Sequence, residues 1–160
     1  MDWDHVWTDA LLSDLPFKVE LDPWGQIVMN PIKVRHVLMR NAISDQLKQV
    51  IAGYGKTFQC LPVMTPENIK MPDVVWFSPE RYEEMRNSEV SPIMPEICVE
   101  VLAPGESVER LLHKKDLYLA GGAVEFWLCD DAGQLSFYDD LDVLEYSRLI
   151  PAFPHRVEPD

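Results

Sequence analysis

The order of apolar patterns predicts an α/β or α+β fold, a mixed β-sheet with helices on its faces. Three observations carry the expectation. Residues 33–52 and 106–120 repeat apolar side chains at helical spacing. Short apolar or alternating runs at 17–22, 69–77, 97–102 and 124–129 are strand-like. Glycine, proline and aspartate turns separate these segments.

Taken in order, residues 1–15 carry Trp3, Val6, Trp7, Ala10, Leu11 and Leu12 at roughly helical spacing, a short amphipathic helix ended by Asp14-Leu15-Pro16. Residues 17–22 alternate Phe17, Val19 and Leu21 with Lys18, Glu20 and Asp22. Pro23-Trp24-Gly25-Gln26 turns the chain, and Ile27-Val28-Met29 returns as the second strand of a hairpin. Glu20 then lies on a solvated face. A long helix follows over 33–52, with Val34, Leu38, Leu47, Val50 and Ile51 as its apolar stripe and Gly53 at its end. His36, in its first turn, reads as a capping or surface histidine.

Residues 56–65 form a strand and 69–77 the next, which carries Asp73. Ser78-Pro79-Glu80 starts a short helix. The polar stretch to Ser91 continues as a mobile connection, with a lid as the functional alternative. Residues 97–102 are the central strand, 106–120 a helix closed by Gly121-Gly122, and 124–129 a further strand. Asp130-Asp131-Ala132-Gly133 turns into Leu135-Ser136-Phe137-Tyr138. An edge strand fits 143–146, and the proline-rich tail, 151–160, reads as loose. The 160 residues suit a single domain, 1–160, large enough for a real core.

Charge limits function. The formal net charge is −13, from 27 acids and 14 bases, which opposes broad attraction to phosphate backbones but leaves room for a local basic patch. Cys60, Cys98 and Cys129 form no paired motif, so free buried thiols are expected. The four histidines lack zinc-ligand spacing. No apolar run is long enough to cross a membrane, and the N-terminus lacks the marks of a signal peptide, so a cytoplasmic location is expected.

The residues that invite chemistry are Asp73 and Glu100. Each is an acid inside an apolar, strand-like run, where a carboxylate needs a proton, a cation or a metal beside it. Magnesium or manganese takes hard oxygens and keeps several waters, so two carboxylates suffice, with the carbonyl of Val101 as a third oxygen. Lys114, one to two turns into the following helix, reaches the same place to orient water or stabilise a phosphate. That set suits metal-assisted hydrolysis of a phosphoester. The structural alternative is an ion pair between Glu100 and Lys114 or Lys115.

Several of these pieces together resemble a known family. They are Phe17-Lys18-Val19-Glu20-Leu21 with Trp24-Gly25-Gln26-Ile27-Val28-Met29, then Arg35-His36 and Pro72-Asp73-Val74-Val75-Trp76. The strand Pro95-Glu96-Ile97-Cys98-Val99-Glu100-Val101-Leu102-Ala103-Pro104 follows, and then Lys114 with Tyr118, Gly122 and Phe126-Trp127. The pattern is similar to the Uma-two family of restriction-endonuclease-like proteins, in the PD-(D/E)XK nuclease superfamily, over about residues 16–140. The resemblance implies a restriction-endonuclease-like core and metal-dependent cleavage of DNA. It makes Asp73 and Glu100 the metal acids, Lys114 the catalytic lysine, Glu20 an auxiliary acid and His36 a residue of the site rim.

Two positions depart from the pattern. The superfamily commonly has a lysine two residues after the second acid, where this chain has Leu102. The resemblance moves that role to Lys114, with Lys115 the near alternative and Arg40 and Lys48 weaker stand-ins. The family usually has serine where Ala103 stands, which removes a candidate capping group. The alternatives to a DNA nuclease are a hydrolase of smaller phosphoesters and an inactive nuclease-fold module acting through a partner or as a homo-oligomer.

Overall fold

Period-two and period-3.6 segments alternate along the chain, and the computed structural model, which describes residues 3, 17–31, 33–103 and 105–159, realises most of them. Among these residues the order opens with strands β1 (Phe17–Leu21) and β2 (Ile27–Pro31) and helix α1 (Val34–Val50). Strands β3 (Lys56–Gln59), β4 (Val63–Thr65), β5 (Asn68–Lys70) and β6 (Val74–Phe77) precede helix α2 (Pro79–Met85). Strand β7 (Ile97–Val101), helix α3 (Val108–Ala120) and strands β8 (Glu125–Cys129), β9 (Leu135–Tyr138) and β10 (Val143–Leu144) complete it. The helix expected over 1–15 lies outside the described residues, apart from Trp3, which is buried with Val19, Leu21 and Ile69.

The main sheet runs β10-β9-β8-β7-β6-β3. Its neighbours are antiparallel except β7 and β8, which run parallel with α3 as the crossover between them. The sheet is therefore mixed, as the sequence predicts. Alternation along the strands feeds two cores. Ile97, Val99, Trp127 and Phe137 pack toward Met39, Ile43 and Leu47 of α1. Cys98, Phe126, Val75 and Phe77 pack with Leu111 and Tyr118 of α3 and Met85 of α2.

Local details differ from the sequence expectations for physical reasons. The run 56–65 is two strands in two sheets, because Cys60 takes a left-handed φ of 50° and Pro62 has no N–H for a ladder. The run 69–77 also breaks, at Met71-Pro72-Asp73. Strands β4 and β5 form their own hairpin, so Asp73 sits just before β6 rather than inside a strand.

The buried face of α1 is Met39, Ile43 and Leu47, at a spacing of four, together with Arg40 and Ser44. Val34 and Leu38, expected in its stripe, are exposed. Ser78 and Ser107 cap α2 and α3 by accepting from the Arg81 and Arg110 N–H groups. Ser107 thus supplies the cap that Ala103 cannot.

Both segments expected to be loose carry anchors. Ser91 donates its N–H to the Pro62 carbonyl and accepts from the Met64 N–H, so the stretch after α2 is tied at its far end, while residues 86–89 are exposed. In the tail, Phe153 and Val157 enter the α1-side core. The Leu135 N–H donates to the His155 carbonyl and the Val157 N–H to the Gly133 carbonyl. Gly133 has φ 86°, and a Cβ there would collide with the Val157 carbonyl.

The hairpin β1–β2 turns around Asp22, whose Oδ1 accepts the N–H groups of Trp24 and Gln26 at 3.0 and 2.7 Å. Its apolar face covers Ile69 of β5. Lys70 Nζ donates to the Leu21 carbonyl and Asn68 Nδ2 to the Asp22 carbonyl, which fixes one hairpin on the other. The polar face of β1 is thereby directed inward.

Candidate active site

Register brings the two acids together. Val74 of β6 pairs with Val99 of β7, so Asp73, one residue before β6, stands opposite Glu100. Both are 1 % exposed. The Val101 N–H donates to Asp73 Oδ2 at 2.8 Å, which ties the first acid to the strand of the second. His36, from the first turn of α1, places Nε2 3.1 Å from Asp73 Oδ1. Arg40, one turn further on, lies 3.9 Å from the same oxygen.

Helix α3 covers the second acid. Tyr118 donates its hydroxyl to Glu100 Oε1 at 2.7 Å, and Lys114 Nζ lies 3.6 Å from that oxygen. Lys114 Nζ also donates to Glu20 Oε1 at 2.9 Å. Glu20 is 1 % exposed, and its Oε2 accepts the Met71 N–H at 2.8 Å. The solvated face expected for Glu20 is overturned: the hairpin turns it into the interior.

The residue that sequence reasoning missed is Lys18. Its Nζ sits 3.2 Å from Asp73 Oδ1 and 3.1 Å from Glu100 Oε2, a buried cation between the two acids. Lys18 and Glu20 stand two apart on one face of β1, so finding one inward finds the other. That face read as solvent-facing because the surface covering it comes from segments far along the chain. Lys115 and Lys48 are not brought in. Lys115 lies over the Tyr138 ring, and Lys48 is exposed on α1.

The electrostatics are divided between the acids. Burial pushes the Asp73 carboxyl up, but Lys18, the His36 hydrogen bond and the Val101 N–H outweigh it and hold it well below the usual range. Glu20 is likewise raised by burial and brought below its ordinary value by Lys114, Lys18 and the Met71 N–H. Glu100 goes the other way. Burial, with Asp73 and Glu20 as like-charged neighbours, raises it to about 7 against the pull of Lys114 and Lys18. The surroundings thus push two adjacent carboxyls in opposite directions.

A cavity of about 260 Å³ opens onto these groups, its wall including Lys18, His36, Asp73, Glu100, Val101 and Lys114. Lys33, Arg110 and Glu106 also line it, so in an acidic protein the cations outnumber the acid at this opening.

Comparison with known proteins agrees with this architecture. A crystal structure described as "a putative nuclease belonging to DUF820 from Anabaena variabilis" is similar at a TM-score of 0.69 and 17 % identity, with 83 % of each chain covered. At that identity the likeness concerns the fold. No curated protein matches the chain. A family model described as "Uma2: Putative restriction endonuclease" matches residues 10–150. With most of its length inside that match, the chain belongs to the Uma2 family.

Proposed function

We propose that this protein is a magnesium- or manganese-dependent endonuclease that hydrolyses DNA phosphodiester bonds, with Asp73 and Glu100 holding the metal. The observation that supports the reading is the meeting of their oxygens on one cation position, the Lys18 Nζ, beside a cavity with a basic opening. The donor chemistry fits. Both side chains are hard carboxylates, and Val101, whose carbonyl is the third oxygen of the proposal, lines the same cavity. Among the described residues no group of three or more His, Cys, Asp or Glu side chains could hold a metal ion, so the proposed site rests on the two carboxylates and the Val101 carbonyl.

Such an ion, when bound, polarises the phosphate and lowers the pKa of a water. The chain's own residues do the rest. Lys114, held by Glu20, orients the attacking water and stabilises charge on the phosphate. Tyr118 fixes the Glu100 carboxyl, and His36 fixes Asp73 from the rim. Lys33 and Arg110 take the neighbouring backbone phosphates. The proposal sets this activity in the cytoplasm. Among the described residues no helix is long and apolar enough to cross a membrane.

A second reading has its own support: Lys18 already occupies the position between both acids, as it would in a catalytically silent nuclease-fold protein that serves as a binding or oligomeric module. The deciding experiment offers supercoiled, linear and single-stranded DNA with magnesium or manganese to the wild type, Glu100→Gln and Lys114→Ala. Cutting by the wild type alone supports the nuclease and its site. No cutting by three folded proteins moves the assignment to the silent module.

A further inference from the structure

We propose that Lys18 is a displaceable internal cation, which occupies the position between Asp73 and Glu100 and must withdraw before a divalent ion can take both carboxylates. The inference rests on the metal site proposed above and adds a residue that competes for it.

Charge matching carries the argument. Asp73, Glu100 and Glu20 face the cations Lys18, Lys114 and Arg40, with contacts from 2.9 to 3.9 Å. With all three carboxylates ionised, the cluster is already neutral. A divalent ion added without a departure leaves two surplus charges in a buried place, a costly arrangement. Position selects the cation that leaves. Lys114 is fixed to Glu20, and Arg40 is engaged with Cys60 Sγ at 2.7 Å. Lys18 alone bridges both metal acids, at 3.2 and 3.1 Å, and its ammonium donates a hydrogen bond to each. It also lines the cavity, so a flexible four-carbon stem has somewhere to go. Withdrawal breaks two ion pairs, and that cost is subtracted from the affinity of the metal.

The test uses Mn2+ as probe on the full chain freed of metal. Bound and free Mn2+ are separated by electron paramagnetic resonance in the wild type, Lys18→Met and Glu100→Gln. In parallel, the wild type is acylated with an amine-reactive ester with and without Mn2+, and labelling of Lys18 is read by peptide mass spectrometry against exposed Lys33. The expected result is Mn2+ binding about tenfold tighter or more in Lys18→Met, lost in Glu100→Gln. Lys18 labelling should rise several-fold with Mn2+ while Lys33 stays constant.

If Lys18→Met folds only with Mn2+ present, the proposal is supported, since the ion then replaces the missing ammonium. Equal affinity in wild type and Lys18→Met, or Mn2+ bound by the wild type with Lys18 still protected, overturns displacement and leaves the metal site standing. Where Lys18→Met folds under neither condition, wild-type labelling decides. Failure of both proteins to bind Mn2+ overturns the metal site and this inference together.

Discussion

Lys114 and Glu20 form a buried ion pair 2.9 Å long between residues 94 apart in the chain. It joins the crossover helix to the opening hairpin. Removing Glu20 leaves the Lys114 cation without its nearest partner and the Met71 N–H without an acceptor. Glu20→Ala is expected to cost about 3–5 kcal/mol in urea unfolding. Glu20→Gln keeps an acceptor and should cost less, while still slowing DNA cleavage. Equal stability of Glu20→Ala and wild type would contradict this pairing.

Glu100 gives the stability a pH dependence of known sign. Its ordinary value is 4.5 and its folded value about 7. Between these the folded chain binds the extra proton, so stability from this group is present at low pH and falls as pH rises toward 7. Asp73 acts oppositely. Its carboxyl is held down, so its contribution exists above the ordinary range and is lost on acidification. Glu100→Gln should therefore be the more stable protein at pH 8, by about 1–3 kcal/mol, with the advantage shrinking toward pH 5. Urea midpoints of both proteins across that interval check it.

Tyr118→Phe removes only the hydroxyl that donates to Glu100 Oε1. The lost hydrogen bond should cost about 1–2 kcal/mol. Since that donor favours the ionised carboxyl, the rising limb of the cleavage profile should move to higher pH. An unmoved profile would show that Tyr118 does not hold this acid for chemistry.

Lys33→Ala and Arg110→Ala test the basic opening. Each should weaken DNA binding with little effect on folding, since both side chains are exposed. Each should also reduce the salt slope of binding by about one unit. Fluorescence anisotropy at several salt concentrations reads both quantities.

The tail closes the α1-side core. The Phe153 ring lies 4.7 Å from the Trp127 ring between centroids, and Phe153 is fully enclosed. Phe153→Ala should cost about 3–5 kcal/mol by the cavity it leaves. Thermal unfolding would expose a smaller role.

What the sequence conveyed was whatever depends on local periodicity. The helices, the central strands and the Asp73–Glu100 pair follow from patterns within a few residues, because a carboxylate in an apolar run already announces a buried charge. Glu20 and Lys18 were not legible in that way. Their burial depends on a hairpin docking against β5, some fifty residues later. The tail misled because its prolines suggested looseness, whereas Phe153 and Val157 were the apolar anchors. The strand breaks were partly legible, because Pro62 and Pro72 lack the N–H a ladder needs, whereas the left-handed backbone at Cys60 carries no sequence mark.

The site is also a timer. Its parts come from positions 18, 20, 36, 73, 100 and 114, and the contacts among them close over as many as 94 residues. A chain still emerging from the ribosome lacks α3 until Ala120 has been added, and until then the acids have neither Lys114 nor Tyr118 beside them. Such long closures also form late in folding, because their loop entropy must be overcome first. Assembly of this cluster is thus coupled to α3, and a chain that stops before it carries the acids without Lys114 or Tyr118.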